Sequence, residues 1–141
     1  VSFMRWYLVK TKKVGDWDIH KRKERIKPLA ALVGLVLFDQ LVVWAFHNQF
    51  LSKLFMVYLI WIIGFFFITL KYKISGHVGA VALAAGLFIQ WYGWEYWPVL
   101  LIIPLVSWAR VVGKHHTVGQ VAAGALYSFG IIQLVQFVPL V

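Results

Sequence analysis

Five runs of apolar residues, separated only by short polar connectors, leave this chain few folds to adopt. The runs cover residues 29–46, 51–70, 78–92, 96–109 and 117–140. The first two are 18 and 20 residues long, near the ~20 residues a helix needs to cross ~30 Å of hydrocarbon. None alternates apolar and polar residues with period two, which argues against a β-barrel. Backbone groups in lipid must be hydrogen-bonded internally, and helices remain as the way to do it. Composition agrees, with 62% of residues hydrophobic and 13% charged, where a soluble domain carries about 25% charged residues. The expected fold class is all-α, a polytopic membrane helical bundle of five transmembrane helices. The absence of cysteine excludes disulfides and thiolate metal sites.

The whole chain, 1–141, is expected to form a single membrane domain. Residues 1–9 are mostly apolar, too few to span a bilayer, and lack a cleavable small-residue site. They read as the end of a hydrophobic segment that starts upstream, or as an interfacial stub. A basic juxtamembrane segment follows, and Pro28 is expected to start the first helix. The third and fourth runs are short. The third is rich in Gly and Ala, which lets helix backbones approach closely in lipid. Trp91, Tyr92, Trp94, Tyr96 and Trp97 surround the turn between them, as an interfacial aromatic belt does.

Counting crossings places the basic segment before Pro28, the connector 71–77 and the connector 110–116 on one membrane face. Of the 14 Lys and Arg residues, all but Lys53 fall on that face. By the positive-inside rule this face is cytoplasmic.

Two of these clusters carry chemistry. Ser75-Gly76-His77 directly precedes a helix, whose N-terminal amides and dipole favour an anion. Ser75 can add a hydroxyl donor, Gly76 permits close backbone approach, and His77 can supply a proton beside a bound oxyanion. In the second connector Arg110 ends one helix and His116 starts the next. Arginine grips phosphate bidentately, and an imidazole beside a bound phosphate can attack phosphorus. Gln120 lies four residues after His116, on the same helical face, where it can orient the ring.

The run Ser-Gly-His, then two helices, then Arg-x5-His-x3 resembles the type 2 phosphatidic acid phosphatase superfamily, in its small bacterial and archaeal membrane branch. The stretches KISGH and WARVVGKHHTVGQVAAG are especially similar, and the resemblance covers about residues 16–140. It implies that His116 is the nucleophile forming a phosphohistidine and that His77 is the acid protonating the leaving group. It further implies that Arg110, Ser75 and Gly76 are phosphate ligands. The family's first motif, K-x6-RP, is poorly matched. Arg22 and Arg25 are the best candidates for its role, with Lys21 and Lys27 as alternatives. Gln120 stands where the pattern has Asp, Ile74 where it has Pro, and Ala109 where it has Ser.

The expected reaction is metal-independent hydrolysis of a lipid phosphomonoester or an isoprenoid phosphate or diphosphate, with no cofactor. The expected partners are that substrate and the bilayer, with no nucleic acid. Alternatives are a lipid-phosphate-binding protein of weak activity, suggested by Gln120, a lipid phosphotransferase, and a purely structural membrane protein with basic loops. Adjacent residues on a helix point apart, which argues against a zinc site of His77, His115 and His116. Asp39 lies mid-span, roughly 15 Å below the motif face at 1.5 Å per residue. It is expected to be buried and protonated, bonded to Gln40, Gln90 or an indole.

Overall fold

A computed structural model describes residues 22–136 and is 88% helical, with no strand among the described residues. Helix α1 is Arg22–Ala45, α2 is Gln49–Lys71 and α3 is Gly76–Tyr92. A 3-10 helix over Trp94–Leu101 runs straight into α4, Ile102–Val112, and α5 is Val118–Gln136. Four segments are long and apolar enough to cross a membrane: Arg25–Ala45, Gln49–Lys71, Trp94–Val112 and Val118–Val135. Helix α3 is a fifth, shorter apolar helix.

The expected all-α bundle is therefore what forms, with two corrections. Pro28 does not start α1; it sits within it. The preceding Arg-Lys-Glu-Arg-Ile-Lys run favours helix strongly enough to extend it past a residue that gives no amide to the i−4 carbonyl. The fourth crossing is longer than the 96–109 run, because Trp94 already begins the 3-10 turn that carries Pro98.

Helix α1 packs along α2, and α3 packs on α5 and the 3-10 segment. Helix α2 also reaches α5, which joins the two groups. The core lies at that junction, built from Val57, Trp61, Ile62 and Phe65 of α2, Leu83 and Leu87 of α3, and Ile131, Ile132 and Val135 of α5. Outward, Leu35, Phe38 and Leu41 of α1 and Leu105 and Trp108 of α4 are exposed. Such surface is unfavourable in water and suits lipid. The chain is an integral membrane protein.

One hydroxyl pins the junction. Ser128 has no accessible surface. Its Oγ accepts from Trp61 Nε1 at 2.8 Å and donates toward the carbonyls of Gly79, at 2.7 Å, and Gly124, at 3.0 Å. Tyr127 donates to the Trp61 carbonyl at 2.7 Å. These contacts hold α2, α3 and α5 in register, and so fix the height at which α3 and α5 begin.

Asp39 is half-buried, and no hydrogen bond joins it to Gln40, Gln90 or an indole among the described residues. Gln40 instead donates to Ser52 Oγ of α2 at 3.1 Å, and Gln90 is exposed. Neighbours along a helix face different directions, so Gln40 turns to α2 without Asp39.

Candidate active site

Each motif residue is placed by a helix end. Ser75 is the N-cap of α3, with its Oγ accepting from the Val78 N–H at 3.4 Å. It has no accessible surface. The Ser75 hydroxyl is therefore committed to the helix, and the Ser75 N–H to the Gln120 carbonyl at 3.1 Å. Gly76 follows as the first helical residue, where no intrahelical acceptor exists for its N–H. Packing allows no side chain there without pressing on the Phe65 ring, 3.2 Å from a built Cβ. His77, the second residue of α3, is exposed.

The Arg110–His116 spacing is set by the way α4 ends. The N–H of His115 bonds the Arg110 carbonyl at 3.1 Å, and the N–H of Lys114 bonds that of Val111 at 2.9 Å. This is a Schellman turn, with Lys114 at φ 56° in the left-handed position that glycine usually takes. Glycine is placed one residue earlier, at 113, where a Cβ would lie 3.0 Å from the Ala109 carbonyl and 2.8 Å from His115 Cδ2. The His116 N–H also bonds the Arg110 carbonyl, at 3.2 Å. The six-residue separation thus closes into a loop that starts and ends on one carbonyl.

His116 is 6% exposed, and its Nδ1 lies 3.0 Å from Gln120 Oε1. The same oxygen accepts the Thr117 N–H at 3.3 Å. An N–H must point at the amide oxygen, which fixes how the Gln120 amide is turned. An oxygen acceptor opposite Nδ1 in turn requires the proton on Nδ1. The neutral ring then keeps a lone pair on Nε2, the tautomer a nucleophile needs.

Burial is the main reason the His116 pKa is pushed down to about 4; the bond it donates to Gln120 opposes this, and the charges of Arg25, Lys73 and Arg110 add to it. These three cations come from three separate stretches of sequence. Arg25 of α1 donates to the Ile74 carbonyl at 3.4 Å, just before the α3 cap. Lys73 donates to the His115 carbonyl at 3.1 Å, across the two connectors. Arg25, the connector 71–77 and the connector 110–116 therefore meet.

Of the first-motif candidates, Arg25 reaches this cluster and Lys27 is exposed. Lys21 lies outside the described residues, and of Arg22 only the backbone, opening α1, is described. Lys73 was not singled out in the sequence. Its signal was its place two residues before Ser75 in Lys-Ile-Ser-Gly-His. Among the described residues no three His, Cys, Asp or Glu side chains stand close enough to hold a metal ion.

Set against known proteins, part of the chain has a recognisable counterpart. It is 39% identical over 61 residues to the Lipid A 4'-phosphatase of Helicobacter pylori. The match takes in 43% of this chain and 31% of that protein, so this chain spans less than a third of its relative. No family model matches the sequence. No solved structure matches the fold.

With or without that likeness, the arrangement has defined chemical capacities. It offers a neutral imidazole held by one nitrogen, three converging cations and the N-terminus of α3. Such a site can bind a tetrahedral anion and present a nucleophile to it.

Proposed function

We propose that the chain is the catalytic part of a membrane lipid-phosphate phosphatase of the type 2 phosphatidic acid phosphatase kind. The observation that carries this is His116, its Nδ1 held by Gln120 at 3.0 Å while Arg25, Lys73 and Arg110 act on the same ring. The partial likeness to a curated Lipid A 4'-phosphatase supports a lipid phosphate as substrate. A substrate whose tail stays in the bilayer brings its phosphate to the membrane face where the connectors lie. The charge bias of the sequence puts this face on the cytoplasmic side.

In this mechanism Arg25, Lys73 and Arg110 and the amide of Gly76 bind the phosphoryl oxygens. Charge that is already in position stabilises the transition state without reorganisation. His116 Nε2 attacks phosphorus, and the bond to the leaving oxygen breaks as His77 protonates that oxygen. Water then attacks the phosphohistidine, His77 takes the water proton, and His116 leaves neutral with phosphate released. Ser75 contributes as the cap that aims the first amides of α3. The reaction requires no metal.

The test is phosphate release from phosphatidic acid, phosphatidylglycerol phosphate and polyprenyl diphosphate in detergent micelles containing EDTA. The parent should release phosphate from at least one, and His116→Ala, folded to the same extent by circular dichroism, should release none. Undiminished release by His116→Ala would sink the assignment.

A further inference from the structure

Tyr72 is the first residue past the Gln49–Lys71 crossing, and its backbone is extended, at φ −132° and ψ 137°. Side chains alternate along extended backbone, so Tyr72 and Lys73 leave the connector in different directions. Both nevertheless end on the stretch that carries His116. Lys73 Nζ bonds the His115 carbonyl at 3.1 Å. The Tyr72 hydroxyl lies 3.6 Å from where a Cβ would stand on Gly119, in the first turn of α5. In the chain, His116 falls between these two points of contact.

A tyrosine at a membrane interface is ordinarily an anchor, its ring among the lipids. Tyr72 instead reaches from one motif connector to the helix that follows the other. It remains 47% exposed, and its hydroxyl has no hydrogen-bond partner among the described residues. Beside it the groups for a phosphate are charged: Arg25, Lys73 and Arg110 all act on His116. A neutral phenol adds little to those cations at a phosphoryl oxygen. It suits a neutral oxygen next to the phosphate, to which it can donate or from which it can accept.

We propose that Tyr72 is a specificity-determining residue, its hydroxyl bonding a headgroup hydroxyl that neighbours the phosphate. The site then favours a lipid whose phosphate is carried on glycerol or another hydroxyl-bearing headgroup over the phosphate of a plain hydrocarbon alcohol. This rests on the phosphatase function proposed above and narrows its substrate class.

The experiment compares phosphatidylglycerol phosphate with the analogue lacking the free glycerol hydroxyl, both in detergent micelles with the whole chain. The parent should prefer the hydroxyl-bearing lipid in kcat/KM by about threefold to tenfold, the worth of one hydrogen bond. Tyr72→Phe keeps the ring against Gly119 and removes only the hydroxyl; it should bring the two lipids to parity. A purely structural Tyr72 would leave the ratio untouched while both rates fell together or held. Either a parent without preference or a Tyr72→Phe that retains it would overturn the proposal. Release from neither lipid by the parent would count against the phosphatase function. The same ratio is then read from binding of the two lipids by isothermal titration, where equal affinity in the parent, or a preference surviving in Tyr72→Phe, overturns the proposal on its own account.

Discussion

At one end of the bundle the connectors are tied to each other and to α1; at the other the turns are held only by their own helices. Ser75 bonds Gln120, Lys73 bonds His115 and Arg25 bonds Ile74, each across at least 42 residues of sequence. At the far end the bonds are local, Phe46 to Val42, His47 to Trp44, Leu51 to Asn48 and Gly93 to Ile89. What crosses there is aromatic, the Phe50 and Trp91 rings at 5.1 Å. Exposure follows the same division: His116 is 6% exposed, whereas Phe46 is 79% and Trp94 69%. Both ends face headgroups and both reverse the chain. Only one buries Ser75 and His116 and ties its connectors by hydrogen bonds from distant partners, which is the arrangement that holds a geometry.

The largest effect should come from separating the two motif connectors. A Cβ at Gly124 would lie 2.6 Å from the Ser75 carbonyl, a backbone atom with no room to move. Gly124→Ala should cost about 1–3 kcal/mol as overpacking does, read as a lower melting temperature in detergent with loss of phosphate release. Gly34→Ala, with nothing within 4 Å, should leave phosphate release unchanged and, if anything, raise the melting temperature, since Ala favours helix over Gly.

Removing one cation should act on rate and on pH together. His116, pushed down to about 4 chiefly by burial and further by Arg25, Lys73 and Arg110, stays neutral through pH 5. The acid limb of kcat/KM belonging to this residue should therefore lie near pH 4, well below an ordinary histidine. Lys73→Met removes a charge that disfavours the imidazolium. The limb should move upward, and kcat/KM fall roughly tenfold to a hundredfold through loss of a charged hydrogen bond. Stability has the matching sign: between pH 6.5 and about 4 the unfolded chain binds the His116 proton and the folded chain does not. The contribution present at pH 7.5 should be lost progressively across that window, visible as a falling melting temperature.

A smaller effect is expected at Lys114, whose φ of 56° is strained for a residue with a Cβ. Lys114→Gly should raise stability by about 0.5–1 kcal/mol without shifting the pH profile. The smallest belongs to the far end. His47→Ala should leave phosphate release within twofold of the parent; a tenfold loss would mean that the two ends are not independent.

The helices and their connectors were legible because lipid imposes one rule on the whole chain: apolar runs of sufficient length must become helices. The pairing of His116 with Gln120 was legible too, since a four-residue spacing fixes a shared face. Pro28 misled because a helix tolerates the loss of one amide donor when strong helix formers precede it. Ser75 carries a hydroxyl suited to phosphate, and nothing local shows that the cap and the bond to Gln120 of α5 would enclose it. The roles of Lys73 and Arg25 are hidden for the same reason. Their partners are carbonyls of distant residues, and backbone acceptors leave no mark in a sequence.

Helix α3 has 17 residues, a rise of roughly 25 Å, some 5 Å less than the ~30 Å of hydrocarbon beside it. The neighbouring 94–112 crossing avoids this deficit, because its eight 3-10 residues each rise ~2.0 Å and bring its total to about 32 Å. With the aromatic turn at one interface, the first residues of α3 stop short of the other. For the proposed phosphatase, a lipid substrate would then reach the site with its acyl chains still in the hydrocarbon. A water-soluble phosphate ester would have to descend into the headgroup layer to reach the same point.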